Sequence, residues 1–437
     1  MTHNQPYGTD THYRQADALV ASGRLDEAES VCLAGLLLAP QAARLRFLLA
    51  TIFQRKGRLQ DAAVAYEQSL RSDPANAVAN YNLGLIYHEQ GQLEQAEQCF
   101  RNAVRIRPRY FKAYNNLGSL LLEMKQPAAA AECYRSALQC KPDSVEVLLN
   151  LCITLGREGK YQEAVLYSQQ AVEKAPNDIN VWMRHGTAQS EARDVKGAIA
   201  SMKRVLELDP QSELAQFYLA SQGQYQGHIP GAMPRELVQS LFDGYADKFE
   251  QHLVYDLRYR VPELLYMAVV NIVGDDHKKF RVLDLGCGTG LCGIHFRSMA
   301  SRLVGVDISP NMIVKTKERN LYDDLIVGDV SVPLRAPDAV YDLVLSADVF
   351  VYVGDLKEVF RDCKRVLAPG GLFAFSVEAH PGDSFILHVK QRYAHSLAYL
   401  HSLAQEVNLQ EVRVDDIVVR MEGEKPVGGF LVILRQP

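Results

Sequence analysis

A proline recurs at a fixed interval through the first half of the chain: Pro40, Pro74, Pro108, Pro142, Pro176 and Pro210 stand 34 residues apart. Twelve residues before each is an alanine: Ala28, Ala62, Ala96, Ala130, Ala164 and Ala198. Gly23, Gly57, Gly91 and Gly159 mark the same phase, with Lys125 and Arg193 in that place in the other two repeats. A repeat of this length has room for two helices and a turn, and such a unit cannot bury its apolar face alone. Stacking neighbours supplies the core, so the period predicts an all-α solenoid. The small alanine lets paired helices approach, and proline, which has no N–H to donate, stops the second helix. Leu83, Leu117 and Leu151 on first helices, with Tyr66, Phe100 and Tyr134 on second helices, fill the remaining space.

This pattern resembles the tetratricopeptide (TPR) family over nearly half the chain. Six repeats are expected between about Thr9 and Pro210, atypical at the ends where His12, Arg14, His185 and Gln189 stand. The expected organisation is a flexible N-terminus over residues 1–8 and a solenoid over 9–222, the latter including a capping helix from Glu213. A Gly/Pro/Gln-rich linker over 223–234 and a second domain over 235–437 follow. First helices carry Asn82, Asn116 and Asn150, again 34 apart. A side-chain amide offers donor and acceptor together and can pair with a peptide backbone. The row is similar to the asparagine ladder of TPR glycosyltransferases, which implies a protein or peptide partner on the concave face. The alternative is that these amides satisfy neighbouring helices. Arg101, Arg105, Arg107, Arg109 and Lys112 around Pro108 read as a solvated face diluted by Glu94 and Glu97.

The second half is organised around Arg281-Val282-Leu283-Asp284-Leu285-Gly286-Cys287-Gly288-Thr289-Gly290. An apolar β-branched run, an acid, alternating glycines and then an apolar helical stretch read as strand, tight turn and helix start. Glycines admit a ligand to the backbone, and a helix start offers free N–H groups. Gly288 to Gly293 satisfies the dinucleotide spacing with Asp307 downstream, but Gly286 places that triplet late and Asp284 has no role in it.

The Asp284–Gly290 stretch instead resembles the first motif of class I S-adenosylmethionine-dependent methyltransferases, and later motifs follow in order. Strands are expected at Arg302–Asp307, Leu325–Asp329, Tyr341–Ser346 and Leu372–Val377, with Val366-Leu367 and Pro369-Gly370-Gly371 before the last. Late strands over 411–420 and 426–434 suit the closing hairpin of a Rossmann-like, seven-stranded α/β domain. The segment from Leu241 to Leu253 resembles the family's N-terminal cap, which implies that Tyr245 and Phe249 face the cofactor. The resemblance further implies a cofactor set of Asp284, Gly286, Cys287, Gly288, Gly290, Asp307, Ile308, Met312, Asp329, Val330 and Ser346. In it Asp284 points towards the methionine ammonium, Asp307 takes the ribose and Asp329 the adenine.

Acceptor chemistry is less specified. Groups placed where acceptors enter are Asp348 and Tyr352 after strand four, His380 after strand five, and His395; His252 lies on the cap. His380 and His395 are the preferred base candidates, each with a structural alternative as a packed side chain. Strand four ends in Ser346-Ala347-Asp348-Val349 without the Asn/Asp-Pro-Pro-Tyr/Phe that holds a planar nitrogen, which favours oxygen or amine nitrogen of a small molecule or carrier-bound group. Two alternatives stay open: a protein methyltransferase whose repeats hold the substrate polypeptide, and a scaffold with an inactive methyltransferase domain.

Charge narrows the partners. Basic and acidic residues balance at 24 each over 1–232, leaving 28 acids against 23 bases in 233–437. That half has no electrostatic footprint for nucleic acid. Eight scattered cysteines form no Cys-x-x-Cys pair, so no metal is expected and the thiols read as reduced, in a cytoplasmic protein. The N-terminus lacks a signal-peptide pattern and no run reaches a membrane span, so no membrane association is expected.

Overall fold

The computed structural model of the chain describes residues 6–274, 279–335 and 340–437. It divides into two compact units, Met1–Arg204 and Val205–Pro437. The first is helical throughout. Its pairs are α1 (Pro6–Ala21) with α2 (Leu25–Leu38), α3 (Ala43–Arg55) with α4 (Leu59–Ser72), and α5 (Ala77–Glu89) with α6 (Leu93–Ile106). They continue with α7 (Phe111–Glu123) and α8 (Pro127–Cys140), α9 (Val145–Arg157) and α10 (Tyr161–Lys174), and α11 (Ile179–Glu191) with α12 (Val195–Leu208). All six phase-marking alanines have no exposed surface. The period holds a second small position that the sequence reading missed. A Cβ on Gly84 would meet the Phe100 ring at 2.8 Å, one on Gly118 the Tyr134 ring at 2.8 Å, and one on Gly186 the Met202 methyl at 2.7 Å. Small residues on first helices are therefore matched to large ones on second helices. Asn76 and Asp178 cap α5 and α11 through their side-chain oxygens.

Two expected boundaries move. Helix α1 already covers residues 6–8, and residues 1–5 lie outside the described residues. The division between units falls inside α12 rather than after residue 222. Helix α13 (Glu213–Ser221) lies in the second unit, where its Phe217 packs with Met233 and Tyr393. The expected linker is also fastened at its far end: the Gly231 carbonyl accepts the N–H groups of Gly354 and Asp355, and Met233 N–H donates to the Tyr352 carbonyl.

In the second unit, β1 (Phe280–Leu285), β2 (Ala300–Asp307), β3 (Asp324–Val327), β4 (Tyr341–Ser346) and β5 (Leu367–Glu378) are parallel. A two-stranded ribbon, β6 (Phe385–Leu387) with β7 (Tyr393–His395), stands apart. The closing hairpin is β8 (Gln410–Glu422) with β9 (Lys425–Arg435), and β9 joins β5 antiparallel, giving the order β3-β2-β1-β4-β5-β9-β8. The strand order reverses between β1 and β4, and ligands of open α/β sheets sit at the carboxyl ends beside such a switch. Pro369-Gly370-Gly371, expected before the fifth strand, lies inside it. Pairing with β4 jumps from Leu367 to Leu372, and Gly370 absorbs the irregularity with φ 77°. Helices α14 (Arg235–Tyr245), α15 (Val261–Val273), α16 (Leu291–Phe296), α17 (Pro310–Glu318), α18 (Lys357–Val366) and α19 (Leu397–Glu406) complete the unit. Beneath β5, Phe350, Phe360, Phe373 and Phe375 form a fully buried aromatic cluster with edge-on contacts such as Phe360–Phe375 at 5.5 Å.

Candidate active site

The glycine turn leaves β1 and enters α16. Gly286, Gly288 and Gly290 have φ of 71°, 54° and 87°, the left-handed region that a side chain makes costly. Close approach adds a second constraint, because a Cβ on Gly286 would lie 2.4 Å from the Val349 side chain. At Gly288 the nearest atoms a Cβ would meet are those of the Phe249 ring, at 3.6 Å. A side chain there would fill the space between turn and cap. Phe249 thus lies over the turn, and Tyr245 packs edge-on against it at 5.5 Å, its hydroxyl paired with His252.

Asp307 ends β2. One of its oxygens accepts the Gly288 N–H at 2.9 Å and the other the Ser309 N–H at 2.9 Å. Each oxygen keeps a further lone pair, enough to receive two neighbouring hydroxyls. Burial raises its pKa, opposed by those two backbone donors. Ile308 is half-buried beside it and Met312 is fully buried on α17. Asp329 follows β3; it accepts the Ser331 N–H at 3.0 Å and faces Arg235 at 3.3 Å, with Val330 half-buried next to it. Ser346 is buried at the end of β4 with its hydroxyl unpartnered. Cys287 is buried below the turn, and burial pushes its thiol well up, so it is a packing group rather than a nucleophile.

Asp284 has no exposed surface. The Tyr322 hydroxyl donates to one of its oxygens at 2.6 Å and accepts the Gly293 N–H at 3.0 Å, so it ties strand β1 to the first turn of α16. The Cys292 thiol also stands against this carboxyl, whose other oxygen has no full hydrogen bond. Burial pushes this carboxyl up to about 7. A cation placed beside this carboxyl would favour its charged form.

The cap is pinned from below. Asp243 of α14 accepts the Ser309 hydroxyl at 2.5 Å, and its carbonyl accepts the Asn311 amide at 3.2 Å. Lys315 pairs with Asp247 at 3.1 Å, and Arg319 bridges Glu250 and the Thr289 carbonyl. Tyr322 and Arg319 went unrecognised in the sequence because nothing local marks them, and Asp243, though it stands within the cap segment, was given no role; each acts on a partner 30 or more residues away.

Of the base candidates, His395 is corrected. It has no exposed surface, its Nε2 pairs with the Gly354 carbonyl at 3.0 Å, and its ring stacks on Tyr399. Burial pushes its pKa down to about 4, so it stays neutral and is a poor proton acceptor. His380 is half-buried after β5, and its backbone N–H donates to the His395 carbonyl. Asp348 follows β4 in a left-handed conformation, φ 58°, and burial lifts its carboxyl to about 6. Tyr352 packs edge-on against Phe242 of the cap at 5.3 Å, its hydroxyl pushed up to about 12 by burial. The three asparagines are half-buried; Asn82 donates to the Tyr66 hydroxyl at 2.9 Å and Asn116 to the Tyr81 hydroxyl at 3.1 Å.

Comparison with known proteins agrees with both halves. Residues 283–375 match the family described as methyltransferase domain, and residues 10–33, 50–91, 75–143 and 121–185 match tetratricopeptide-repeat families. A malonyl-[acyl-carrier protein] O-methyltransferase of Yersinia pestis is 33% identical over 108 residues, 24% of this chain and 40% of that protein. Its namesake from Serratia marcescens is 28% identical over 173 residues, 36% of this chain and 66% of that protein. The chain therefore spans less than two thirds of the length of these relatives. Among solved structures, YrrB, a TPR protein with an unusual peptide-binding site, is 20% identical, covering 42% of this chain and 95% of that one at a TM-score of 0.39. An S-adenosylmethionine-dependent methyltransferase from Mesorhizobium loti is 18% identical, covering 39% and 97% at a TM-score of 0.31. The chain joins a TPR array to a methyltransferase domain, which displaces the dinucleotide reading of the glycine turn.

Proposed function

We propose that this protein is an S-adenosylmethionine-dependent methyltransferase acting on oxygen, or amine nitrogen, of a small molecule or carrier-bound group, while its repeats dock a protein or peptide. The observation that carries this is the left-handed glycine turn closed by Asp307 and roofed by Phe249. The residues fit the cofactor: Asp307 retains acceptor capacity, and Asp284 and Ser346 hold buried oxygens without a full hydrogen bond beside the turn. Bound S-adenosylmethionine supplies an electrophilic methyl group on a sulfonium. The chain's own work is to place the acceptor in line with that methyl and to exclude water, a proximity effect. Phe249, Tyr245 and Phe242 supply the apolar roof.

The relatives named as methylating an acyl-carrier-protein conjugate favour O-methylation and give the repeats a task, holding the carrier. The row of Asn82, Asn116 and Asn150 supports a second reading, in which an extended substrate polypeptide lies along the first helices and is itself methylated. Asn82 and Asn116 each give one amide N–H to a tyrosine hydroxyl, and each amide has a second N–H and a carbonyl oxygen besides. We place the protein in the cytoplasm: its eight cysteines are free thiols, and no described helix is long and apolar enough to cross a membrane.

The test supplies methyl-labelled S-adenosylmethionine and a cell extract as acceptor source. Label in a solvent-extractable product, or in one released from protein by thioester cleavage, is the expected result. Label that stays on polypeptide through that treatment selects the second reading. No transfer by a protein that binds the cofactor would leave a scaffold.

A further inference from the structure

The ring of Tyr322, which stands between α17 and β3, lies against glycines of three different elements. A Cβ on Gly293 of α16 would meet it at 2.6 Å, one on Gly305 of β2 at 2.9 Å, and one on Gly290 of the turn at 3.2 Å. Gly293 closes the dinucleotide spacing in the sequence, but this ring is what requires it to be small. The backbone that presents Tyr322 is tied down on both sides. Arg297 donates to the Leu321 carbonyl at 3.0 Å and to the Asp323 carboxylate at 2.8 Å. That carboxylate also accepts the Leu303 N–H at 2.7 Å, and the Asp323 N–H donates to the Leu303 carbonyl at 2.9 Å.

The neighbours of the Tyr322 hydroxyl fix its two roles. The Gly293 N–H can only donate, so the phenolic proton goes to Asp284. Burial pushes the phenol well up, and it keeps that proton. Gly293 carries one of the first-turn N–H groups that a helix leaves unpaired, and the hydroxyl satisfies it. One Asp284 oxygen is thereby taken, while the other has only the weak thiol donor of Cys292 beside it.

We infer that Tyr322 is a positioning residue for the cofactor, holding Asp284 and the first turn of α16 in the arrangement that receives the amino-acid end of S-adenosylmethionine. This rests on the methyltransferase reading above. Asp329, Asp307 and Asp284 belong to the ends of β3, β2 and β1, which are neighbours in the sheet. A nucleoside held by the first two directs the rest of the cofactor towards β1 and β4. There Asp284 and Ser346 keep oxygens without a full hydrogen bond. Asp307 takes its own hydrogen bonds from Gly288 and Ser309, so the nucleoside end does not depend on Tyr322.

The test measures the affinity of the full chain for S-adenosylhomocysteine and for 5′-methylthioadenosine, which keeps the nucleoside and lacks the amino-acid end. Tyr322→Phe retains the ring and deletes only the hydroxyl. At pH 7 the variant is expected to bind S-adenosylhomocysteine about tenfold more weakly and methylthioadenosine within about twofold of the parent.

A pH profile supplies a readout that packing alone would not move. A carboxylate that receives the ligand's ammonium makes affinity rise with pH until the carboxyl of the free protein is ionised, at about 7 for Asp284. The other titratable groups facing Asp284 are Asp307, Cys287, Cys292 and Tyr259; burial pushes the last three well up, so they stay neutral over this range. Asp307 keeps its two backbone donors in the variant, so its share of the profile should stay in place. Losing the Tyr322 hydrogen bond favours the neutral form of Asp284, and the profile should level off about one pH unit higher. Methylthioadenosine should show no such shift. Unchanged affinity for S-adenosylhomocysteine, equal losses of both ligands, or an unmoved profile overturns the inference and leaves the cofactor reading intact. A parent whose affinity does not rise below pH 7 does the same without any variant. Failure of S-adenosylhomocysteine to bind the parent overturns both.

Discussion

At the scale of single residues, Asp284 has the clearest consequence. Its carboxyl is moved by burial from its ordinary 3.8 to about 7, and the Tyr322 hydroxyl only partly offsets this. Between those values the folded chain holds a proton that the unfolded chain has released. This contribution to stability is therefore greatest at acid pH and is lost as pH rises towards 7. Asp284→Asn keeps an oxygen for Tyr322 and removes the ionisation. Relative to the parent, the variant should gain on the order of a few kcal/mol between pH 4 and pH 7, read from urea midpoints at both values. A difference that does not vary with pH would contradict this account. The residue scale is also where the sequence was least legible. Gly286, Gly288, Gly290 and Asp307 stand in one recognisable order, whereas Tyr322 reaches Asp284 across 38 residues and carries no local mark. His395 looked like chemistry because it stands in the stretch where acceptors enter; only the fold reveals that β7 buries it.

At the scale of elements, the repeat was legible because its parts are local. The turn after each first helix needs a left-handed residue, and glycine supplies it at Gly57, Gly91 and Gly159, with φ near 73°. Lys125 and Arg193 adopt the same conformation, φ 58° and 64°, against their preference. Arg193→Gly should therefore stabilise the full chain by about 1 kcal/mol, seen as a higher melting temperature. Unchanged or lower stability would show that the arginine side chain contributes more than the turn costs. Strand β5 illustrates the opposite case. Its proline and glycines suggested a break, and the pairing with β4 and β9 does skip them, yet Gly370 and Gly371 exchange backbone hydrogen bonds with Gln436 beyond β9 and the strand continues, with Gly370 taking up the irregularity. The cap likewise combined a legible aromatic face with an illegible anchor, because Asp243 gains its meaning only beside Ser309.

At the scale of the whole molecule, the order of elements follows from sequence because each half repeats or steps through motifs in a fixed order. The charged set of Asp348, Glu378, Arg392, Arg420 and Glu422 does not, since β4, β5, β8 and the segment before β7 are far apart in the chain and meet only when the sheet closes. The boundary between units escaped for the same reason: Phe217 reads as the end of a solenoid until Tyr393 is found against it. Calorimetric titration of S-adenosylhomocysteine into the full chain and its Asp307→Ala variant tests whether the second unit holds S-adenosylmethionine on the glycine turn and Asp307. Micromolar binding to the parent is expected, about 8 kcal/mol of binding free energy, with at least about a hundredfold loss in a variant that still unfolds cooperatively. No heat of binding with the parent, or equal affinity in the two proteins, would contradict it.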